Sequence, residues 1–219
     1  MAARVAIAML VGVLLLAGCG GKSSNSTTAI DTSTTTSPST TTSTPRLGFE
    51  GMAIEQGADL ASADTTGTKR VDGITCGPIE QLAYHIHAHL AVYVNGSARA
   101  LPGGIGIPGS KVEETAQGPV GVGGQCIYWL HTHAPDGVIH VESPVRRVYT
   151  LGNFFDEWHQ ALSGTQVAGA SGKVSAIFNG KPWTKDPRAI PLLPHAVIQL
   201  SVGGPIVPFR RVSWAGSRL

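Results

Sequence analysis

Six of the eight histidines fall in two short runs whose spacing lines them up. The first run, YHIHAHLAVYV at residues 84–94, carries His85, His87 and His89 at every second position. The second, IYWLHTHAPDGVIHVE at residues 127–142, carries His131, His133, His140 and Glu142. Side chains alternate between the two faces of a strand. A strand over the first run therefore puts its three imidazoles on one face and Tyr84, Ile86, Leu90, Val92 and Val94 on the other, which is a core face. Imidazole is the commonest protein ligand for transition metals, so the chemistry open to these rows is coordination of a divalent ion.

Asp136-Gly137 signals a two-residue type I′ turn, which needs positive φ at both central positions. That turn pairs Pro135 with Val138, His133 with His140 and His131 with Glu142, all on one face. Leu130, Thr132, Ile139 and Val141 take the other, mostly apolar face. Three imidazoles and a carboxylate then share a patch roughly 5 Å by 7 Å, the convergence that metal–ligand bonds of about 2.0–2.2 Å require. An ion takes only about four to six ligands. The seven side chains His85, His87, His89, His131, His133, His140 and Glu142 therefore form either one centre with outer partners or two adjacent centres. The competing reading is a pH-responsive or carboxylate-paired surface, because clustered imidazoles near pKa about 6.5 repel once protonated. His159 and His195 stand apart and receive no role.

These rows need elements to hold them. Asn95-Gly96 predicts a second hairpin, returning over residues 97–101. Residues 102–108, rich in glycine, and 117–124 read as loops, and 145–149 as a β-type stretch. Thr150 then reads as a helix N-cap before Leu151, Phe154, Phe155, Trp158 and Leu162, an amphipathic stripe. At helical spacing that stripe is a core face rather than a ligand slot. Asp156 and Glu157 fall in the helix's N-terminal half, favourable to its dipole, and Gly164 stops it. Residues 174–178 read as a strand turned by Asn179-Gly180, residues 181–183 return, and 196–202 form a last strand. The expected fold is α+β, a small mixed or antiparallel sheet with hairpins and one amphipathic helix. β-Grasp domains are its architectural analogy, which carries no function.

The chain opens with Arg4, an apolar stretch over residues 5–17 and the tetrad Leu16-Ala17-Gly18-Cys19. This start resembles a bacterial lipoprotein signal peptide, with an apolar segment short for a membrane span and a lipobox ending in cysteine. The resemblance implies cleavage after residue 18, acylation of Cys19 and a lipid anchor on the extracytoplasmic face of the membrane. Two or more acyl chains anchor stably, whereas one is marginal. An uncleaved anchor would leave the compartment unchanged. Residues 19–46 are dominated by Ser and Thr and cannot bury enough apolar surface to offset their ordering entropy, so they read as a disordered tether. Residues 47–219 are long enough for one domain with a real core.

Of three cysteines, Cys76 and Cys126 remain once Cys19 carries lipid, and in an oxidising compartment a disulfide is expected. Closing a loop of about 50 residues stabilises by roughly 4 kcal/mol, and it ties the segment before His85 to the start of the His131 run. The rival is a thiolate pair joining the metal. Met1, Met9 and Met52 are the only methionines, which excludes a methionine-rich copper(I) site. Net charge is +2, and no basic stripe accompanies aromatic residues, so nucleic acid is not a partner.

With HIHAHL, GIGIP at residues 104–108, LHTHAPDGVIHVESP at 130–144 and LGNFFDEW at 151–158 in view, the chain resembles a group of secreted or membrane-anchored proteins of bacteria and archaea. The likeness covers roughly residues 76–203 and implies a recurrent domain rather than a mechanism. Two functions compete. One is extracytoplasmic binding of copper or zinc for capture, buffering or delivery, with raw affinity favouring copper. The alternative is a metal-dependent enzyme, hydrolytic or oxygen-activating, with Glu142 as base or fourth ligand. Against the enzyme stands the lack of a nucleophile motif or cofactor loop. A third reading, a structural module that binds metal adventitiously, predicts weak affinity and no change in thermal stability. The sequence names no protein partner.

Overall fold

The two Asn-Gly pairs turn the chain as their residue types dictate. In the computed structural model, which describes residues 45–63 and 67–219, φ is +49° and +79° in the first pair and +50° and +79° in the second, as a type I′ turn requires. The first turn closes β1 (Tyr84–Val94) onto β2 (Ser97–Arg99). After these come β3 (Leu130–His131), β4 (Val138–Ser143), α1 (Leu151–Glu157), β5 (Val174–Phe178), β6 (Lys181–Trp183) and β7 (Ala196–Val202). The second turn joins β5 to β6. These strands make one seven-stranded sheet in the order β6-β5-β7-β1-β4-β3, with β2 pairing the far end of β1. β7 runs parallel to β1, and the other pairs are antiparallel. Among the described residues the domain is thus a small mixed sheet with one short α-helix. The signal-peptide and Cys19 expectations lie outside the described residues.

Strand parity divides the sheet into two unlike faces. Ala88, Leu90 and Val92 of β1 pack with Ile139 and Val141 of β4 and Ile198 and Leu200 of β7, all buried. α1 lays Leu151, Phe154, Phe155 and Trp158 on this face, each fully buried. A Phe at such a site contributes about 1.5–3 kcal/mol through burial alone. Thr150 caps the helix: its hydroxyl accepts from Asn153 N, while Asn153 Oδ1 accepts from Thr150 N at 3.0 Å, a reciprocal capping box.

The helix is shorter than its stripe. It ends at Glu157, Trp158 caps it, and His159 takes φ +55°; Leu162 instead bridges Val167. Asp156 and Glu157 therefore sit in the last turn, not the N-terminal half, where the helix dipole opposes them. Asp156 is answered by Arg188. Glu157 is fully buried, its oxygens have no hydrogen-bond partner among the described residues, and burial raises its carboxyl well above the usual range, keeping it protonated.

Three further expectations need correction. Within residues 117–124, Gly118–Val122 is not a loop but a strand paired with Lys111–Thr115; the latter is exposed throughout, so no burial pattern marks it. Of residues 145–149, only Tyr149 is strand, in the short ladder of Tyr149–Thr150 with Pro191–Leu192. The run at 127–133 divides. Ile127–Tyr128 pairs with Cys76–Gly77, leaving Leu130–His131 to join β4. The Cys76–Cys126 disulfide, with Cα atoms 5.4 Å apart, staples that first ladder.

Candidate metal centre

The hairpin carrying the second histidine row does not close on Asp136-Gly137. Gly137 has φ +77°, but Asp136 is not among the positive-φ residues. His131 pairs with His140 and Leu130 with Val141, two residues away from the register a tight turn would give. Local and outside contacts together hold the longer connection. Asp136 Oδ1 accepts from Val138 N at 3.1 Å, Glu55 N donates to Pro135 O at 2.8 Å, and the Thr132 hydroxyl donates to Pro102 O at 2.7 Å. A slip of one residue would exchange the faces; a slip of two preserves them. His131, His140 and Glu142 consequently still share a face.

β1 completes that face, with His85 opposite Glu142 and His87 opposite His140. The glycine-rich residues 104–108 brace β3 from its other edge. Gly104 N donates to Thr132 O at 2.7 Å, Thr132 N to Ile105 O at 3.0 Å and Tyr128 N to Gly106 O at 2.9 Å. A Cβ at Gly106 would stand 2.3 Å from Leu130 O, so only glycine permits this approach. The face is then covered by segments on either side of the sheet's span in sequence. Arg218 N donates to Glu50 O at 3.0 Å, and Gln199 of β7 holds Val207 O at 2.8 Å and Arg210 N at 2.9 Å.

Two donor groups result: His85, His87, His140 and Glu142, and His131, His133, His140 and Glu142. Within each, one donor atom per residue lies within 4.8 Å of all the others. His85 Nε2 is 3.0 Å from Glu142 Oε1 and 2.9 Å from His87 Nε2. His131 Nε2 is 3.2 Å from His133 Nε2 and 3.9 Å from Glu142 Oε2. The carbonyl of Tyr128, 2.9 Å from His131 Nδ1, can only accept, which places that ring's proton on Nδ1 and leaves a lone pair on Nε2. His140 lies between two carboxylates, its Nδ1 3.3 Å from Glu142 Oε1 and its Nε2 2.9 Å from Glu50 Oε1.

The electrostatics favour ligation. Burial, reinforced by the charge on His140, lowers the pKa of His87 to about 3 and of His133 to about 4, and puts His131 well below its usual range. These rings are neutral at pH 7 and have lone pairs to offer. Burial would also lower His140, but the hydrogen bond to Glu142 and the charges of Glu50 and Glu142 beside the ring outweigh it and hold it protonated up to about 9. The metal-free centre thus contains one imidazolium clasped by two carboxylates, a position a metal cation would take over.

Of the seven side chains expected from the sequence, six converge and His89 does not. It has the right parity but faces Val138, and it packs where a Cβ on Gly137 would meet its Nε2 at 2.7 Å and Glu55 Oε1 at 2.9 Å. It belongs to neither donor group. His195 stacks on Trp214 with centroids 4.6 Å apart. Two carboxylates at the site escape sequence reading. Glu50, which is buried, borders the expected tether, and Glu80, 3.4 Å from His133 Nε2, lies in an irregular stretch before β1; neither falls in a periodic pattern. A cleft of about 240 Å³ opens above the cluster, lined by Phe49, Glu80, His85, His87, His133 and Arg218 among others. A larger cleft of about 640 Å³ beside Trp183 is remote in sequence and lining, and holds no comparable donor group.

Searches against protein-family models, curated proteins and solved structures each find no match to this chain. The site's own geometry therefore carries the functional argument. It defines a mixed-sheet domain with His/Glu groups able to hold a metal ion.

Proposed function

We propose that this protein binds a transition metal, copper or zinc, through its His/Glu cluster, and does so as a lipid-anchored protein on the outer face of the cell membrane. Capture, buffering or delivery of the ion is its task. The observation that carries the reading is the convergence of imidazole nitrogens, those of His87, His131 and His140 buried, on Glu142 in two groups of metal-ligand dimensions. Imidazole with carboxylate suits Zn(II) and Cu(II). Location rests on the lipobox at Cys19 and on the Cys76–Cys126 disulfide, which belongs to an oxidising compartment. No helix among the described residues is long and apolar enough to cross a membrane. Elemental analysis of the full chain, expressed without a histidine tag, tests the reading. Bound copper or zinc at one or more equivalents supports it, and metal-free protein that takes up neither ion contradicts it.

One observation favours the second reading, a metal-dependent enzyme. The cleft leaves His85 with 40 % of its side chain exposed, so a ligand can reach the ion. Retention of metal without turnover of ester, phosphoester or oxygen substrates supports the binding role; metal-dependent turnover that Glu142→Gln abolishes supports the enzyme.

A further inference from the structure

We infer that the cluster is a two-ion centre in which the Glu142 carboxylate bridges the ions; this rests on the metal-binding reading above. The donors separate into two groups rather than one, and only His140 and Glu142 are common to both. Each group has a private imidazole pair whose Nε2 atoms are 2.9 Å apart in His85/His87 and 3.2 Å apart in His131/His133. With metal–nitrogen bonds of about 2.0–2.1 Å and angles between square and tetrahedral, two nitrogens on one ion stand roughly 2.9–3.4 Å apart. Both pairs match that separation. One ion does not serve both, since a coordination sphere with such bonds spans only about 4 Å, and the six donors do not all lie within 4.8 Å of one another.

Glu142 is placed between the pairs and offers each a different oxygen. Its Oε1 lies 3.0 Å from His85 Nε2, and its Oε2 lies 3.9 Å from His131 Nε2. Oε2 is buried and has no hydrogen-bond partner among the described residues, as is true of Glu50 Oε2. Buried carboxylate oxygens are ordinarily satisfied by hydrogen bonds or by cations. Among the described residues no Lys or Arg pairs with Glu50 or Glu142; their partners are imidazoles. Two divalent ions would displace the His140 proton and answer both carboxylates, and two-metal sites hold their ions about 3.5–4 Å apart, a spacing that a carboxylate can bridge. The exposed sides of His85 and His133 face the cleft, so the ions' open positions face it too.

The test is equilibrium dialysis of the full chain against Zn(II), with elemental analysis, followed by electron paramagnetic resonance of the Cu(II)-loaded protein. The expected result is two zinc ions per chain and, with copper, a half-field transition from a coupled pair. His85→Ala alters the most exposed ligand and should weaken one ion at least tenfold while the other stays; His133→Ala should do the converse. A single ion per chain, or two copper ions with no magnetic coupling, overturns the bridged pair and leaves the metal-binding reading standing. No bound ion overturns both. The wild-type stoichiometry and spectrum decide the matter even if a variant fails to fold.

Discussion

The two faces of the central sheet are built to opposite rules. Beneath α1, Leu90, Ile139, Val141, Phe154 and Phe155 exclude water with no polar atom in any of their side chains. On the reverse, the same strands bury His87, His131, His140 and Glu142, covered by Glu50. The apolar burial of the first face depends on area and not on protonation. The second buries polar groups that are only partly satisfied, an expensive arrangement that a bound cation would relieve. One strand, β1, serves both faces through nothing more than its period of two. Stability and function can therefore be separated by mutation, face by face.

The largest separation should come from the apolar side. Phe155→Ala removes a fully buried ring from the α1 contact, and about 3–5 kcal/mol of unfolding free energy should go with it. Urea denaturation with and without metal measures this, and the stabilisation added by metal should be unchanged. An equal loss of metal affinity in the folded protein would show that the faces are coupled.

Next in size is the metal's own contribution. At a free ion concentration one hundred times Kd, binding to the native state adds about 2.7 kcal/mol, seen as a rise in Tm. His133→Ala combined with His140→Ala should abolish most of that rise, whereas His159→Ala, at the far end of α1, should leave it intact. Acid should weaken binding in every case, because the imidazoles must be deprotonated to ligate.

The smallest effect, and the sharpest in sign, is the pH dependence of the metal-free protein. Burial, opposed by the Leu101 N–H, raises Glu55 from its usual 4.5 to about 8, and burial raises Asp136 to about 7. The folded state keeps protons that the unfolded chain has lost, so this stability is full below about pH 4.5 and lost as pH rises through about 8. His140, held protonated to about 9, adds to the same decline above pH 6.5. His87, His89 and His133, lowered to about 3–4, act in reverse: their share is present above pH 6.5 and lost as pH falls towards 4. Stability in chelator should therefore peak near pH 6.5, and Glu55→Gln should flatten its alkaline side. Urea midpoints at pH 5, 6.5 and 8.5 measure both; a steady rise to pH 8.5 would contradict the assignment.

The unequal legibility of the two faces in the sequence has physical causes. The apolar face follows from alternation and helical period, and both Asn-Gly turns form where their residues require. Asp136-Gly137 misleads because a turn signal is local, while Thr132, Pro135 and Asp136 are held by Pro102, Glu55 and their own backbone. The histidine face survives that error because the register shifts by two. His89 shows the limit of parity, which assigns a face but not a neighbour: Gly137 and Glu55 enclose it. Glu50 reaches the centre from a segment with no periodic signal, by a route that only the tertiary fold defines. α1 ends early because His159 leaves helical geometry, which hydrophobic spacing does not report.

The central claim, that the polar face is a metal centre, is tested most directly by anomalous scattering from crystals grown with zinc, at the zinc absorption edge. The account predicts anomalous density inside the cluster, within about 2.0–2.2 Å of imidazole nitrogens of the His85/His87 and His131/His133 pairs and beside Glu142. Density confined to other surface histidines, or none in the cluster at saturating zinc, would contradict it.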